Sequence, residues 1–561
     1  MRVTVASRRS DLARIQAIQV GEALRAAHPE IEIKYSFHES LGDKNLNDPL
    51  WKMPEKGVFT QDFREGLLRG DFDLVVHSWK DLAIEVDPET EIVATLPRAD
   101  ARDLLLLRRD RWNEVERSAV MSILTSSPRR AYNLESFLRA ALPAKINELK
   151  FENVRGNVQT RVRKMLEQNV DGLIVAKAAI DRLLSTPRRL SEPPAVAGGQ
   201  HRAPQDEFGE TRNFLRDALA QCRWMVLPLS ANPSAPAQGA LAIEISRKRD
   251  DMRDLIAPLN CSDTYTAVEH ERAILRGYGG GCHQKIGVSV VRRDFGEVTF
   301  LRGLTDDGVV LNSRSLTTSH AKPARVPREQ LWPLNSKEGR LFDIERVAID
   351  PLSLWERARV RAEVPSTSSA PSPQPSPKGR GSESVPSLWI AKADALPANW
   401  TTGDRQVIWT SGLRTWKRLA QRGVWVNGSA DSLGEHEPTR IETIAGSEIQ
   451  WLKLTHDRGH QGDMPTRATY RLVPRNGELD LAGRKHFFWK SGSSFEYALS
   501  QNPWLKEMNH YCGPGNTQRI LRKHGIKPVV FLDHEQWLEE MSVSTASGSE
   551  RIIKVRQYRE R

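Results

Sequence analysis

Residues 2–27 read RVTVASRRSDLARIQAIQVGEALRAA. RVTVA has the alternation of a short strand, DLARIQAIQVGEALRAA has apolar residues at helical spacing, and the polar loop SRRS stands between them. The same unit returns along the first 185 residues: DLVVH runs into SWKD, MSIL into TSSPRR and AYNLESFLRAAL, and LKFENV into RGN and VQTRVRKMLEQ. A repeated strand, loop and helix predicts an α/β layer with parallel strands. In such sheets ligands collect beyond the carboxyl ends of the strands, where helix N-termini offer unpaired N–H groups to anions. All four of these loops carry arginine or lysine. A single charged loop is ordinary solvated surface, but four on one edge predict a shared anionic ligand.

The rest of the composition narrows the class. With 561 residues and 39% hydrophobic content the chain is globular, and its length suggests three or four domains. Its four cysteines, Cys222, Cys261, Cys282 and Cys512, lie far apart with no CxxC spacing. Free thiols in a reducing compartment are expected, with neither a zinc site nor a disulfide framework. No signal-peptide core opens the chain and no run reaches membrane-spanning length, so a soluble cytoplasmic protein is expected. The net charge of +11 implies anionic partners. The basic residues are spread through folded segments without a helix-turn-helix, zinc-finger or RNA-stacking signature, which favours a small polyanion in a cleft over nucleic acid.

Residues 186–222, which open with TPRRLSEPPAVAGGQHRAPQDEFGE, have the Pro, Gly and charge content of a surface insertion. SAPAQGALAIEIS follows as an expected crossover strand, then a smaller α+β segment with strand-like IGVSVV and EVTFLRGLT. Residues 363–387, EVPSTSSAPSPQPSPKGRGSESVPS, have the makeup of a tether. Beyond it, TWKRLAQRG from Thr415 and TQRILRKHG from Thr517 form an internal repeat, each expected to be a Thr-capped helix closed by glycine. Two similar α/β lobes follow from that reading. GGGCHQKIG, residues 279–287, stands apart, with one thiol between a glycine run and His283 and Lys285. Cysteine here is either a small buried hydrophobe on a hinge or a nucleophile with room for an adduct.

The first 310 residues or so resemble the porphobilinogen deaminase (hydroxymethylbilane synthase) family, carrying its motifs in order: ASRRSDLARIQA, LGDKNLNDPLWKMPEKGVFTQDFREGLL, VVHSWKDLA, TSSPRRA, VRGNVQTRVRKM, SAPAQGALAIE and GGGCHQKIG. The resemblance implies two α/β domains of periplasmic-binding-protein type around a cleft, plus a small α+β domain carrying a cofactor cysteine. Domain 1 is expected over 1–97 and 205–245, domain 2 over 98–204 with the insertion, and domain 3 over 246–345, followed by a linker at 346–387. It further implies head-to-tail condensation of four porphobilinogen molecules into hydroxymethylbilane, with release of ammonia. The primer is a dipyrromethane cofactor held by Cys282 through a thioether; no metal is implied, and the expected protein is a monomer that engages neither nucleic acid nor membrane. By matched position, Asp81 is the catalytic acid with Lys80 beside it. Arg129, Arg130 and Ser127, together with Lys80 and Asp81, fall on the cofactor, and Arg8, Ser10, Arg155 and Arg161 on substrate carboxylates. Arginine forks suit such carboxylates. Arg161 equally suits support of its own helix, and Phe59 suits either packing on pyrrole rings or plain core. Lys56 belongs to a loop expected to move.

Residues 388–545 resemble uroporphyrinogen-III synthase through VIWTSGLRTWKRLAQRGVWVNG, TYRLVPRNGE, FFWKSGSSFEYAL and CGPGNTQRILRKHGIKP. That resemblance implies a two-lobed α/β region that cyclises the bilane, with Ser491, Ser493, Thr517 and Tyr470 as candidate contacts; each of the small polar three also reads as a helix cap. The deaminase motifs depart from the family pattern at Asp11 (usually proline), Pro128 (usually leucine), Lys177 (usually small), MPEKG and CHQKIG. A non-enzymatic anion-binding module, a nucleic-acid binder and a deaminase with an inert C-terminal module remain as alternatives.

Overall fold

Ten strands build the two α/β layers: β1 (Arg2–Arg8), β2 (Glu32–His38), β3 (Leu74–Ser78), β4 (Thr90–Ala94), β5 (Asp103–Arg108), β6 (Val120–Leu124), β7 (Glu148–Glu152), β8 (Gly172–Ala176), β9 (Cys222–Leu227) and β10 (Leu241–Ser246). The computed structural model describes residues 1–39, 61–185, 207–280, 284–319, 323–347, 386–398, 400, 403, 406–459, 464–475 and 479–543. Lys56, Phe59 and Cys282, and most of the expected insertion and linker, lie outside the described residues.

The first sheet runs β2-β1-β3-β10-β4 and the second β7-β6-β8-β5-β9. In each, three strands are parallel, as the repeated unit predicts. The other two pairings in each sheet are antiparallel: β10 against β3 and β4, and β5 against β8 and β9. These exceptions have one cause. The chain passes from one layer to the other between β4 and β5 and returns between β9 and β10, so each layer takes in a strand that enters from the other side. β3 and β8, buried along most of their length, read as continuous apolar runs because helices cover both faces.

Several boundaries differ from the sequence reading. Residues 205–245 do not all join the first layer: β9 lies in the second sheet and only β10 in the first. Residues 209–220, expected within a surface insertion, form a helix whose Leu215, Ala218 and Leu219 are buried. The helix Asp250–Ile256, assigned above to the third domain, places Met252 and Ile256 in the core of the first layer with Val3, Val5 and Leu74. The third domain is therefore the helix Ser262–Arg276 with β11 (Gly287–Arg293), β12 (Gly296–Leu304) and β13 (Val310–Thr317), which form one sheet in that order.

Two compact units make up the chain. One holds Met1–Ser315, Asp404–Asp431 and Thr439–Gln450; the other holds Leu316–Gly403, Ser432–Pro438 and Trp451–Arg561. Part of the region expected to be a separate two-lobed module thus belongs to the first unit. The cause is visible at β9, an edge strand whose unpaired backbone groups need cover. Val226 N–H donates to Asn427 O (2.7 Å), and the Trp425 indole and Asn427 amide both donate to Trp224 O (3.2 and 3.0 Å). Trp416 packs edge-on against Phe137 and donates to Ala141 O at 3.0 Å.

In the second unit, strands Leu331–Trp332, His486–Trp489, Asn509–Cys512 and Val529–Val530 lie in that order, all parallel. The strands Phe342–Arg346, Thr466–Pro474, Trp451–His456 and Ser387–Ile390 also run in sequence, the first pair antiparallel. Residues 331–346 pair with this unit and not with the third domain. The helices of the repeat span Leu413–Ala420, in the first unit, and Asn516–Lys523, in the second, with Gly412 and Gly515 as their N-caps, so Thr415 and Thr517 lie inside the first turn and are not the N-caps. The closing glycines behave as read: Gly423 and Gly525 sit at φ +78° and +79°, a backbone region that L side chains rarely enter.

Candidate active site

A cleft of ≈ 270 Å³ opens at the carboxyl ends of the parallel strands, and all four basic loops line it. β1 delivers Arg8 and Ser10, β3 delivers Lys80 and Asp81, β6 delivers Arg130, and β7 delivers Arg155, Gly156 and Asn157. Arg161, in the first turn of the helix Val158–Glu167, lines the cleft as well. That helix is capped by Asn157, whose side chain accepts from Thr160 N–H at 2.9 Å, and is preceded by Gly156 at φ +109°. The turn places Gly156, Asn157 and Val158 along the cleft.

The helix Pro128–Ala141 shows why Pro128 is tolerated. It occupies the first turn, where a missing N–H removes no helical bond, and Ser127 caps the same end by accepting from Arg130 N–H at 3.4 Å. Ser127 therefore acts on the helix and does not line the cleft. Arg129 is likewise turned away: it donates to Asn232 Oδ1 (3.0 Å), to the Pro233 carbonyl (2.5 Å) and to Asp103 Oδ2 (2.9 Å). Arg130 reaches the cleft while its Nε and a terminal nitrogen grip Asp103 at 3.0 and 2.6 Å.

Asp103 is the organising group, and the sequence reading missed it. It is fully buried and also accepts from Asn232 Nδ2 and Gln238 Nε2, each at 2.8 Å. Burial alone would raise its pKa, but Arg130 and Arg129 hold it well below the usual carboxylate range. Gln238 extends the network, accepting from Lys80 Nζ at 3.2 Å. The available signal was an acid opening the apolar run DLLLLR, where an unpaired carboxylate is not tolerated.

Desolvation at the cleft pulls the Lys80 ammonium down to about 8, with Asp81 opposing the shift. Burial lowers Arg161 to about 10, and the nearby Arg130 adds to the effect. Arg161 Nε also donates to Gly156 O at 2.8 Å, so the residue both lines the cleft and supports its own loop. Arg182 is a second missed residue. It lines the cleft, donates to Gly239 O at 2.8 Å, and is lowered to about 10 by burial. It sits inside a helix, where a scan of loops finds nothing. Asp81 itself is exposed at the cleft, in a short 3₁₀ turn after β3.

The third domain meets this edge through backbone groups. Arg272 donates to Leu82 O at 3.3 Å and to Ala83 O, and Arg276 donates to Ile84 O at 3.2 Å. Gly279 and Gly280, which open the Cys282 loop, sit at φ +91° and +66°, and Gly280 lies against Ile84. Gly280 thus packs on a residue three positions after Asp81. Of the described cysteines, Cys222 and Cys512 are buried and raised to about 12 by desolvation, which disfavours their reactive thiolate form, and Cys261 is partly exposed.

Residues 3–206 match the family model for porphobilinogen deaminase, dipyrromethane cofactor binding domain. Porphobilinogen deaminase of Desulfitobacterium hafniense is 33% identical over 52% of this chain and 80% of its own length. The enzyme of Natranaerobius thermophilus is 30% identical over 58% of this chain and 92% of its own. The chain belongs to the porphobilinogen deaminase family. The Clostridium novyi deaminase, 29% identical, matches 55% of this chain and 91% of its own length. Among solved structures, YhfZ from Shigella flexneri aligns with a TM-score of 0.21 at 12% identity, covering 49% of this chain and 96% of its own, too slight a likeness to carry an argument.

The deaminase departures now have neighbours. Asp11 Oδ2 accepts from Gln159 Nε2 (2.9 Å) and Thr211 Oγ1 (2.6 Å), tying the first helix to two helices of the second layer. Lys177 is fully buried, bonded to Asp181 at 2.6 Å and paired with Asp100 at 3.4 Å. The C-terminal candidates do not converge in this way. Ser491 caps the helix Gly492–Gln501 by accepting from Ser494 N–H at 3.2 Å, and Ser493 Oγ stands 3.5 Å from His456 Nε2. Tyr470 is 1% exposed against that same histidine, and burial raises its hydroxyl pKa. No helix among the described residues is long and apolar enough to cross a membrane.

Proposed function

We propose that the cleft performs the family's condensation, assembling hydroxymethylbilane from four porphobilinogen molecules on a dipyrromethane primer carried by Cys282. The observation that supports this most is the convergence of Arg8, Lys80, Arg130, Arg155, Arg161 and Arg182 around Asp81. Each pyrrole of primer and substrate carries an acetate and a propionate, and this donor set suits such carboxylates. The primer supplies a free pyrrole carbon as the point of growth. The chain's own residues do the rest. Arginine forks fix the rings by their carboxylates, and Lys80 adds a point charge whose strength depends on pH. Asp81, an acceptor at the edge of the basic cleft, stabilises positive charge on the incoming pyrrole as its C–N bond breaks and ammonia leaves. With a primer on Cys282, its terminal pyrrole carbon would form the C–C bond and lose its hydrogen as a proton. After four additions water would cleave the bond to the primer, its hydroxyl passing to the released product and its proton to the primer carbon. Orientation of both rings beside Asp81 lowers the entropic barrier to C–C bond formation.

A second reading assigns ring closure to the C-terminal residues 388–545. It is favoured by the parallel sheet of Leu331–Trp332, His486–Trp489, Asn509–Cys512 and Val529–Val530, with Ser491 and Asn516 opening helices just beyond two of its strands. Tethering would raise the local concentration of an unstable bilane. Incubation with porphobilinogen, oxidation and separation of uroporphyrin isomers tests both readings: isomer I alone sinks the second, and no porphyrin sinks the first.

A further inference from the structure

The two crossings between the α/β layers lie side by side, and a short piece of chain from beyond the tether is fastened across them. In the outward crossing, Ala99 N–H donates to Gly239 O (3.2 Å) and Arg98 Nε to Gln238 O (2.9 Å); from the return crossing, Gln238 Nε2 donates to Ala101 O (2.7 Å). Gly239 sits at φ +89°, and a Cβ there would stand 2.6 Å from Ala99 O, so the two strands of the hinge touch backbone to backbone. Three side-chain bonds then reach residues 439 and 440. Arg102 donates to Thr439 O at 2.7 Å, Lys177 Nζ donates to Arg440 O, and the Arg440 guanidinium donates to Arg98 O at 3.3 Å. Arg216 holds the helix that follows by donating to Thr443 O at 2.7 Å.

Two features mark this as a built contact. Lys177 and Arg102 are buried donors whose charge is answered by Asp100 and Asp181, an arrangement that surface packing does not require. Arg440 is a non-glycine residue at φ +53°, an uncommon conformation, and there its carbonyl accepts from Lys177. We propose that Thr439–Ala445 is a brace across the hinge between the two α/β layers, so that a segment beyond the tether limits how freely the cleft opens. The residues it holds, 98–102 and 177, are immediate neighbours of cleft residues Ala176, Ala178, Ala179 and Gly239.

Arg440 is exposed, so it can be changed without opening a core. Arg440→Gly and Arg440→Pro both delete the guanidinium, but glycine accepts a positive φ and proline, fixed near −65°, does not. Hydrogen exchange in the full-length protein then isolates the brace. The expected result is roughly tenfold faster exchange at the Ala99 and Lys177 amides in Arg440→Pro, and a much smaller increase in Arg440→Gly, which loses only the exposed guanidinium bond to Arg98 O. Arg216→Ala, which removes only the bond to Thr443 O, should give a smaller change of the same sign. Equal exchange in the Pro and Gly variants overturns the proposal. So does faster exchange in Arg440→Pro with wild-type porphobilinogen turnover, because the hinge would then not govern the cleft. The turnover arm rests on the deaminase reading. A wild-type protein without turnover contradicts that reading and leaves the exchange arm to decide the brace.

Discussion

The cleft of the first unit and the helix starts of the second are built from the same parts, parallel strands running into helices, yet the first gathers six basic side chains on one cleft while the second answers Lys453 and Arg519 with Glu435. Around Asp81 six basic side chains from both layers line one space. In the second unit Ser491 caps a helix, Tyr470 is buried, and Thr517 sits inside a first turn. Small polar residues at strand ends are what any α/β fold uses to start helices. Long cations from several loops aimed at one volume are harder to explain structurally, because their mutual repulsion must be offset by a ligand or a buried acid. Here Asp103 offsets part of it.

The largest expected effect is at Asp81. Asp81→Asn keeps the shape but loses the charge and turns one acceptor oxygen into a donor, and kcat should fall by about 10²–10³-fold with little change in Tm, as the residue is exposed. An unchanged kcat would reduce the cleft to a binding site. Next is Asp103→Asn, which leaves Arg129 and Arg130 buried with their shared partner neutralised. Unfolding in denaturant should show a loss of about 3–5 kcal/mol, whereas Asp71→Asn, on the surface, should show almost none.

Lys80 sharpens the comparison through pH. Its ammonium, drawn down to about 8 by desolvation, is charged below that value and neutral above it. Attraction for substrate carboxylates is lost as pH rises through 8, so KM should climb there, and Lys80→Met should abolish the climb. The stability sign is opposite: between about 8 and 10.5 the unfolded chain holds a proton that the folded one has released, so this group's contribution grows with pH in that window. The smallest effect belongs to the second unit. Ser491→Ala should destabilise it by about 1 kcal/mol, the worth of a helix cap, and leave porphobilinogen consumption unchanged.

What was legible in the sequence was local. The strand, loop and helix unit located the parallel strands and the basic edge, and glycine spacing located positive-φ turns at Gly279, Gly280, Gly423 and Gly525. What was not legible depended on long-range pairing. Nothing near TSSPRR says that Arg129 turns inward to an acid 26 residues upstream, and nothing in the helix KAAIDRLL marks Arg182 as facing a cleft. The tether suggested a clean division, but an uncovered edge strand at β9 draws residues 425–427 back across it. Side-chain periodicity reports burial and does not report which partner buries.

The most direct test compares the protein with its Asp81→Asn form after incubation with porphobilinogen, measuring ammonia released and uroporphyrin formed on oxidation. The account expects both products from the unaltered chain and nearly none from the variant. Equal yields from the two, or none from either, would contradict it.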